Sequence, residues 1–407
     1  MTGSRRRSGR PMPPDSPPDS VRPIRALFVN TGILGHRSVA HVIGRAIDRQ
    51  PGIQAARMDL ATGLSARERV VRRLLTLGPR PGSAAGALTA ARFRHELNAG
   101  LTAAARIRAL ERAGERFDVI HFHTQAAAWG SLGRMRRTPC IVSIDVTQRL
   151  AMLEMPQGIA RRDYAPNAAR DRRVFRAAAA IVATSRWSAN DLAADLPECA
   201  GRVHVMPYPV PLEGFGAAWA RERRARPVDR PVRVLFIGGD FGRKGGAELL
   251  LAWRMAALDS VARLVIVTES PFDDASLAPG VEVRRGVRAY TPEWFELWRD
   301  ADVFALPTRG EAFGMVFQEA AAAGLPAIGT RLNAIPEIVA DGDTGILVPP
   351  GDVAALADAL RALVSSPERR AAMGTAARRR IEAVASVDRY GERLAALVRS
   401  VAGGGHG

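Results

Sequence analysis

Two apolar runs, Ile24 to Asn30 (IRALFVN) and Val232 to Ile237 (VRVLFI), each lead through a glycine-containing turn into a helical pattern. The first turn reads TGILGHRS and the second GGDFGRKGG. A strand that passes through glycine into a helix opens a doubly wound α/β domain, and here the unit occurs twice. The alternation continues after each opening. In the first half the strand-like runs are Val119 to Phe122, Cys140 to Ile144 and Ala180 to Thr184. In the second they are Arg263 to Val267, Val281 to Arg284, Val303 to Leu306, Ala327 to Gly329 and Ile346 to Val348. Residues 67–116 are mainly helical in pattern. Such a rhythm predicts parallel sheets with helices on both faces, and 407 residues suffice for two domains of this kind.

The organisation that follows is a disordered basic tail over residues 1–23 and an N-terminal Rossmann-like domain over 24–207. A Pro- and Arg-rich linker over 208–231 leads to a C-terminal Rossmann-like domain over 232–386, and a helix with a flexible tail ends the chain over 387–407. Two such domains face each other across a cleft lined by the carboxyl ends of both sheets, where these sheets bind ligands.

Composition narrows the setting. Two cysteines, Cys140 and Cys199, are too few for a disulfide framework and suit a reducing compartment. No apolar run approaches the roughly 20 residues that span a bilayer, and the N-terminus lacks the apolar core of a signal peptide. A cytoplasmic protein is expected. The formal charge of +17 sits almost wholly in the first half: residues 1–215 hold 33 Arg against 17 Asp and Glu, the remainder 25 basic against 24 acidic. A basic half attracts anionic partners, the inner face of the cell membrane among them; it is equally what an Arg- and Ala-rich composition produces. The segment RERVVRRLLTLGPR, residues 67–80, sets an apolar stripe among arginines. It reads either as a peripheral membrane contact or as core with a solvated flank.

The chemistry concentrates in GEAFGMVFQEAAAAGLPAIGT, which begins just after the run ADVFALP and carries Glu311 and Glu319. A helix entered through a glycine turn presents free backbone N–H groups and a positive dipole end, a seat for phosphate. Glu311 lies in the loop ahead of the helix and Glu319 well inside it. Eight residues of helix span roughly 12 Å, more than the about 5 to 9.5 Å between the carboxyl groups of a glycosidase pair. The two read as clamps on the hydroxyl-rich ends of one long ligand, such as ribose, diphosphate and sugar, with solvated helix-surface glutamates as the plain alternative. Neither Asp341/Asp343 nor Asp273/Asp274 makes a metal motif; both pairs read as turn residues.

This motif, preceded by WRDADVFALPTR and followed by IPEIVADGDTGILVPPGD, resembles the donor-site signature of glycosyltransferase family 4, which carries a Glu-x7-Glu motif. The likeness is near continuous over residues 294–352, and the tandem rhythm extends it over about 24–400. It implies the GT-B fold and a retaining transferase using a nucleotide-diphosphate sugar, with no metal or other cofactor. By the same resemblance Glu319 holds the ribose hydroxyls and Glu311 contacts the donor sugar. The backbone around Phe313, Gly314, Met315 and Val316 lies against sugar and diphosphate, and Arg243 with Lys244, the chain's only lysine, neutralises the diphosphate. The family often has an arginine two residues after the strand, where this chain reads Gly239-Asp240, so Arg243 is the less secure of the pair. The family's first-domain histidine, beside the donor sugar, is matched by His121 or His123 of DVIHFHT, the later one preferred. Gly35, in the first glycine turn, allows close backbone approach to phosphate or acceptor. Asp145 and Thr147 end a strand facing the cleft and suit either an acceptor-side role or a helix cap.

The resulting expectation is transfer of a sugar to a glycan or lipid-linked acceptor in cell-envelope polysaccharide or glycolipid biosynthesis. Rival readings are another enzyme of the same fold, such as a nucleotide-sugar epimerase or a phosphorylase, and a basic nucleic-acid-binding protein. The last lacks the interleaved aromatics that nucleic acid needs, and no nucleic-acid partner is expected.

Overall fold

The computed structural model describes residues 22–32, 34–78, 90–154, 161–216, 218–227, 230–271 and 277–404, and in it the two openings begin two six-stranded sheets. The first is built from β1 (Ile24–Asn30), β2 (Ile53–Asp59), β3 (Val119–Phe122), β4 (Cys140–Ile144), β5 (Ala180–Ala183) and β6 (Val203–Val205) in the order β2-β1-β3-β4-β5-β6. The second contains β7 (Val232–Ile237), β8 (Ala262–Val267), β9 (Val281–Arg284), β10 (Val303–Leu306), β11 (Ala327–Thr330) and β12 (Gly345–Val348) in the order β12-β11-β10-β7-β8-β9. All pairings within both sheets are parallel.

These are the two doubly wound strand orders. Each has one place where the winding reverses, between β1 and β3 in the first sheet and between β7 and β10 in the second. Loops leaving adjacent strands diverge there and open a crevice at the strands' carboxyl ends. The central strands are buried on both faces and read as continuous apolar runs, as parallel strands must. The two strands absent from the sequence expectation, β2 and β6, are the outer strands of the first sheet, and neither is fully buried.

Helix α1 (Leu34–Asp48) follows β1, so Gly35 falls in its first turn rather than in a preceding loop; the surroundings of residues 33–38 lie outside what the structure describes. Of the expected tail over residues 1–23, residues 1–21 lie outside it as well, while Arg22 is described and pairs with Asp118 at 2.7 Å. The segment expected as a linker is packed against the second domain. Phe215 is fully buried, and helix α5 (Trp219–Arg224) aims Arg223 at the backbone oxygens of Ala301 (2.9 Å) and Trp298 (3.3 Å).

The chain ends in a helix from Val387, as read from the sequence, in a place that the sequence did not specify. Helix α8 (Pro367–Ala385) stops at Ser386, whose hydroxyl caps α9 (Val387–Gly403), and Val210 bridges to Ser386 across the two crossings between domains. From there α9 turns back onto the first domain, burying Val387, Leu394 and Val398. Gly391 lets it approach α1: a Cβ there would lie 2.5 Å from the Ala46 carbonyl oxygen. The last helix is part of the N-terminal body, since its apolar face is buried against it.

Helix α2 (Ala66–Thr76) decides between the two readings of the Arg-rich segment. None of its residues is buried, and Val70 and Leu74 are 59% and 66% exposed, so the stripe is not core. The helix is held instead by Glu68, which accepts from Ser65 in a capping box and from Arg106 of α3 (Ala91–Arg112) at 2.7 Å; the Arg106 bond is the main reason its carboxyl is pulled down to about 2. No helix among the described residues is long and apolar enough to cross a membrane.

Candidate functional site

The second switch point is assembled by glycine. Gly245 closes the loop between β7 and helix α6 (Gly246–Ala256) at φ 76°, and a Cβ there would sit 1.9 Å from the Pro307 carbonyl oxygen. Only glycine lets the loop after β7 lie against the loop after β10. Hydrogen bonds to one backbone oxygen then lock the two, with Arg309 N donating to Arg243 O at 2.9 Å and Thr308 Oγ1 to the same oxygen at 3.2 Å. The consequence is chemical: the Lys244 ammonium and the Glu311 carboxylate form an ion pair, each side chain only 13% exposed. Arg243 beside it donates to Gly310 O (2.6 Å) and Asp240 Oδ2 (3.2 Å). Its guanidinium is partly spoken for by Asp240, whereas Lys244 faces the motif glutamate directly.

Helix α7 (Met315–Ala322) starts from Gly314, at φ 89°, where a Cβ would meet the Phe317 ring at 2.9 Å and Glu311 Cγ at 3.2 Å. The N-terminal amides of Met315 and Val316, which have no acceptor within the helix, therefore begin beside Glu311. Glu311's backbone oxygen is tied by Asn333 Nδ2 at 2.9 Å, from a residue in left-handed conformation. Glu319 is buried one turn further on, and Tyr290 Oη donates to it at 2.8 Å. Burial pushes the Glu319 carboxyl up to about 7, opposed only in part by the Tyr290 bond.

At the first switch point both histidines are buried, with distinct roles. His121 lies within β3, bonds to Ser143 Oγ at 2.7 Å, and is pushed down to about 4 by burial, so it is a neutral part of the sheet's packing. His123 follows the strand, at its carboxyl end. Its ring stacks on Tyr208 (centroids 5.7 Å apart), and Tyr208 meets Phe313 edge-on at 5.5 Å. This aromatic row joins the first domain, the crossover segment and the motif loop. Asp145 accepts from Val146 N and lines a cavity of about 670 Å³ beside Arg72, His95 and Gln125, on the first domain's side of the cleft. Thr147 is occupied as a cap: it accepts from Leu150 N (3.1 Å) and donates to Asp191 (2.6 Å). Of the acidic turns, Asp341 accepts from Leu347 N and pairs with Arg331, while Asp273 and Asp274 lie outside the described residues.

The structure thus brings Lys244, Arg243, Glu311, Gly314, Met315 and Val316 together, sets Glu319 within the same helix, and links Phe313 to His123 through Tyr208. Sequence reasoning missed Tyr290, Asn333 and Tyr208. All three act from loops far along the chain, where no periodicity marks them.

A model of group 1 glycosyl transferases matches residues 231–366, and a glycosyl transferase 4-like domain matches residues 51–209. Phosphatidyl-myo-inositol mannosyltransferase of Mycobacterium leprae is 31% identical over 65% of this chain and 70% of its own length. The chain belongs to glycosyltransferase family 4. D-inositol 3-phosphate glycosyltransferase of Xylanimonas cellulosilytica is 32% identical over 51% of this enzyme, which spans about half (54%) of that relative. Among solved structures, HepE from Anabaena in complex with UDP-glucose superposes with a TM-score of 0.63 at 15% identity, over 93% of this glycosyltransferase and 100% of HepE. That likeness confirms the GT-B fold implied by the family resemblance.

Proposed function

We propose that this glycosyltransferase moves a sugar, with retention of configuration, from a nucleoside-diphosphate sugar on the second sheet to a hydroxyl of a glycan or lipid-linked acceptor on the first. The observation that carries the reading is the Lys244–Glu311 pair, held where two switch-point loops meet and followed within one helix by the buried Glu319. HepE's complex with UDP-glucose supports a nucleotide sugar as donor, and the inositol-directed relatives support a hydroxyl-rich acceptor.

As the bond from the anomeric carbon to the diphosphate lengthens, negative charge gathers on the leaving oxygen. Lys244, Arg243 and the amides at the start of α7 stabilise it without a metal ion. The acceptor oxygen bonds to the anomeric carbon on the face being vacated, and its proton passes to the departing diphosphate, so no protein base is required. His123 and Glu311 orient the sugar, and Glu319 accepts from the ribose hydroxyls. Asp145 lies on the acceptor side.

The test is a thermal-shift panel of UDP-, GDP- and ADP-sugars run with EDTA present. One nucleotide class is expected to raise Tm in the wild type and to fail in Glu319→Ala. No shift with any of them, or a shift that needs added Mg²⁺, would remove the metal-free donor site.

The exposed Val70 and Leu74 among the arginines of α2 extend the proposal to an anionic membrane surface as the place of acceptor capture, with envelope polysaccharide or glycolipid synthesis as the setting. Wild type is expected to sediment with phosphatidylglycerol-containing liposomes at moderate salt and Val70→Asp/Leu74→Asp to stay in the supernatant. Equal behaviour of the two proteins would dismiss the contact.

A further inference from the structure

A second cavity, of about 590 Å³, lies between the domains on the side where the chain crosses from one to the other. Pro207 on the outward crossing and Val384 on the return both line it. Its size is that of a small-molecule site, roughly 300–1,000 Å³, and neither Lys244, Glu311 nor Glu319 is among its walls.

Its charge is one-sided. Arg186, Arg380, Arg389 and Arg393 line it, with Glu337 as the only carboxylate among the described residues. That carboxylate is already committed: it accepts from Arg186 N (2.8 Å) and Trp187 N (2.7 Å), joining the second domain to the start of helix α4 (Arg186–Asp195) in the first. Two arginines are fixed by main-chain oxygens, Arg380 on Glu337 O (2.9 Å) and Arg393 on Val205 O (2.6 Å). None of the four is in an ion pair among the described residues. Like charges gathered this way repel one another unless an anion joins them.

A second, independent observation points to a ligand. Gln318 lines the cavity, is only 1% exposed, and its Oε1 has no hydrogen-bond partner among the described residues. A buried amide oxygen left without a donor costs about 1–3 kcal/mol, a cost that a bound hydroxyl removes. The walls therefore ask for a phosphate, taken by guanidinium groups, and for a hydroxyl donor to Gln318.

We infer that this cavity binds a small phosphorylated polyol, of the sugar-phosphate class, as an effector distinct from donor and acceptor. Its walls come from α4 and α9 on one side and from α7 and α8 on the other, so a ligand there joins both domains. It also touches Phe313, which belongs to the aromatic row reaching His123. Occupancy would fix the position of the motif loop relative to the first domain.

The test uses the full chain with glucose 6-phosphate as probe, and glucose and inorganic phosphate as controls, read by thermal shift and titration calorimetry. Saturating glucose 6-phosphate is expected to raise Tm by about 3 °C or more, with each control giving less. Arg389→Ala is expected to weaken its binding about 10- to 100-fold, and Gln318→Leu to weaken it while leaving the fold intact. Both variants should respond to the nucleotide sugar as wild type does, which separates this site from the donor site. The inference is overturned by any of three results: no response to glucose 6-phosphate, an equal response to inorganic phosphate, or undiminished binding in Arg389→Ala.

Discussion

Lys244→Met is expected to lose about 10²- to 10³-fold in kcat, the usual cost of deleting one preorganised charge at a transition state. Methionine is the informative replacement because the lysine stem packs over Gly238, where a Cβ would lie 3.0 Å from Lys244 Cβ and Cγ. It keeps that stem and removes only the ammonium. The same change strips Glu311 of its cation at a position where both side chains are 13% exposed. A half-sheltered carboxylate without its partner costs stability, on the order of 1–2 kcal/mol given its residual contact with water. The loss of turnover is much larger than the loss of stability accounts for, and that disproportion is the signature of a leaving-group role. Arg243→Ala should be milder, since Asp240 already offsets its charge. Steady-state kinetics beside a melting curve decides the matter: a Lys244→Met enzyme within threefold of wild-type kcat would move the diphosphate charge elsewhere.

Glu319→Gln should make the protein more stable at pH 8 and a poorer binder of its donor. Burial raises the folded-state carboxyl from 4.5 to about 7, whereas in the unfolded chain it ionises near its ordinary value. Above pH 7 the folded protein therefore holds a buried charge that unfolding would hydrate. The contribution to stability is fully present below about pH 4.5, falls as pH rises toward 7, and is flat beyond. The whole excursion is worth about 3 kcal/mol, from about 1.4 kcal/mol per pH unit. The neutral amide avoids this cost, so the variant's advantage should be greatest at pH 8 and shrink to little at pH 4.5. Donor binding runs the other way, because ribose hydroxyls bond more strongly to a carboxylate than to an amide. Wild-type affinity should rise through pH 7, and the variant should be weaker by about tenfold above it. A stability difference that stays constant between pH 5 and 8 would show that Glu319 does not titrate in this range.

The two effects together describe a familiar compromise, in which a binding carboxylate is kept in a place that the fold alone would fill with a neutral group. Tyr290, held at φ 63°, supplies a hydrogen bond that eases it.

What the sequence determined by itself was local. Apolar runs such as VIHF, CIVSI and VFAL can be buried on both faces only as central parallel strands, and each became one. Glycine at turns after β7 and before α7 announced conformations that other residues resist, and the loops that hold Lys244 and Glu311 formed there. The motif's chemistry followed from its residue types, whereas the strand order that sets the switch points came from the structure. The edges were less legible: IQAARMD and VHV carry too little apolar pattern to declare themselves, and the pairing offered by β1 and β5 makes them strands.

Only tertiary structure could decide the rest. The amphipathic face of α9 says that it must be buried, not that it crosses back to α1. Segment 208–231 looks like a linker from its prolines and arginines, yet Tyr208 finds partners in both bodies, and Phe215 and Arg223 find theirs in the second. The same holds for Tyr290 with Glu319, for Asn333 with Glu311, and for the four arginines around Gln318. A chain's periodicity records which face of each element avoids water, and that is enough to build the elements. Which residues meet across the cleft depends on how two finished domains are held together, and no short stretch of sequence encodes that.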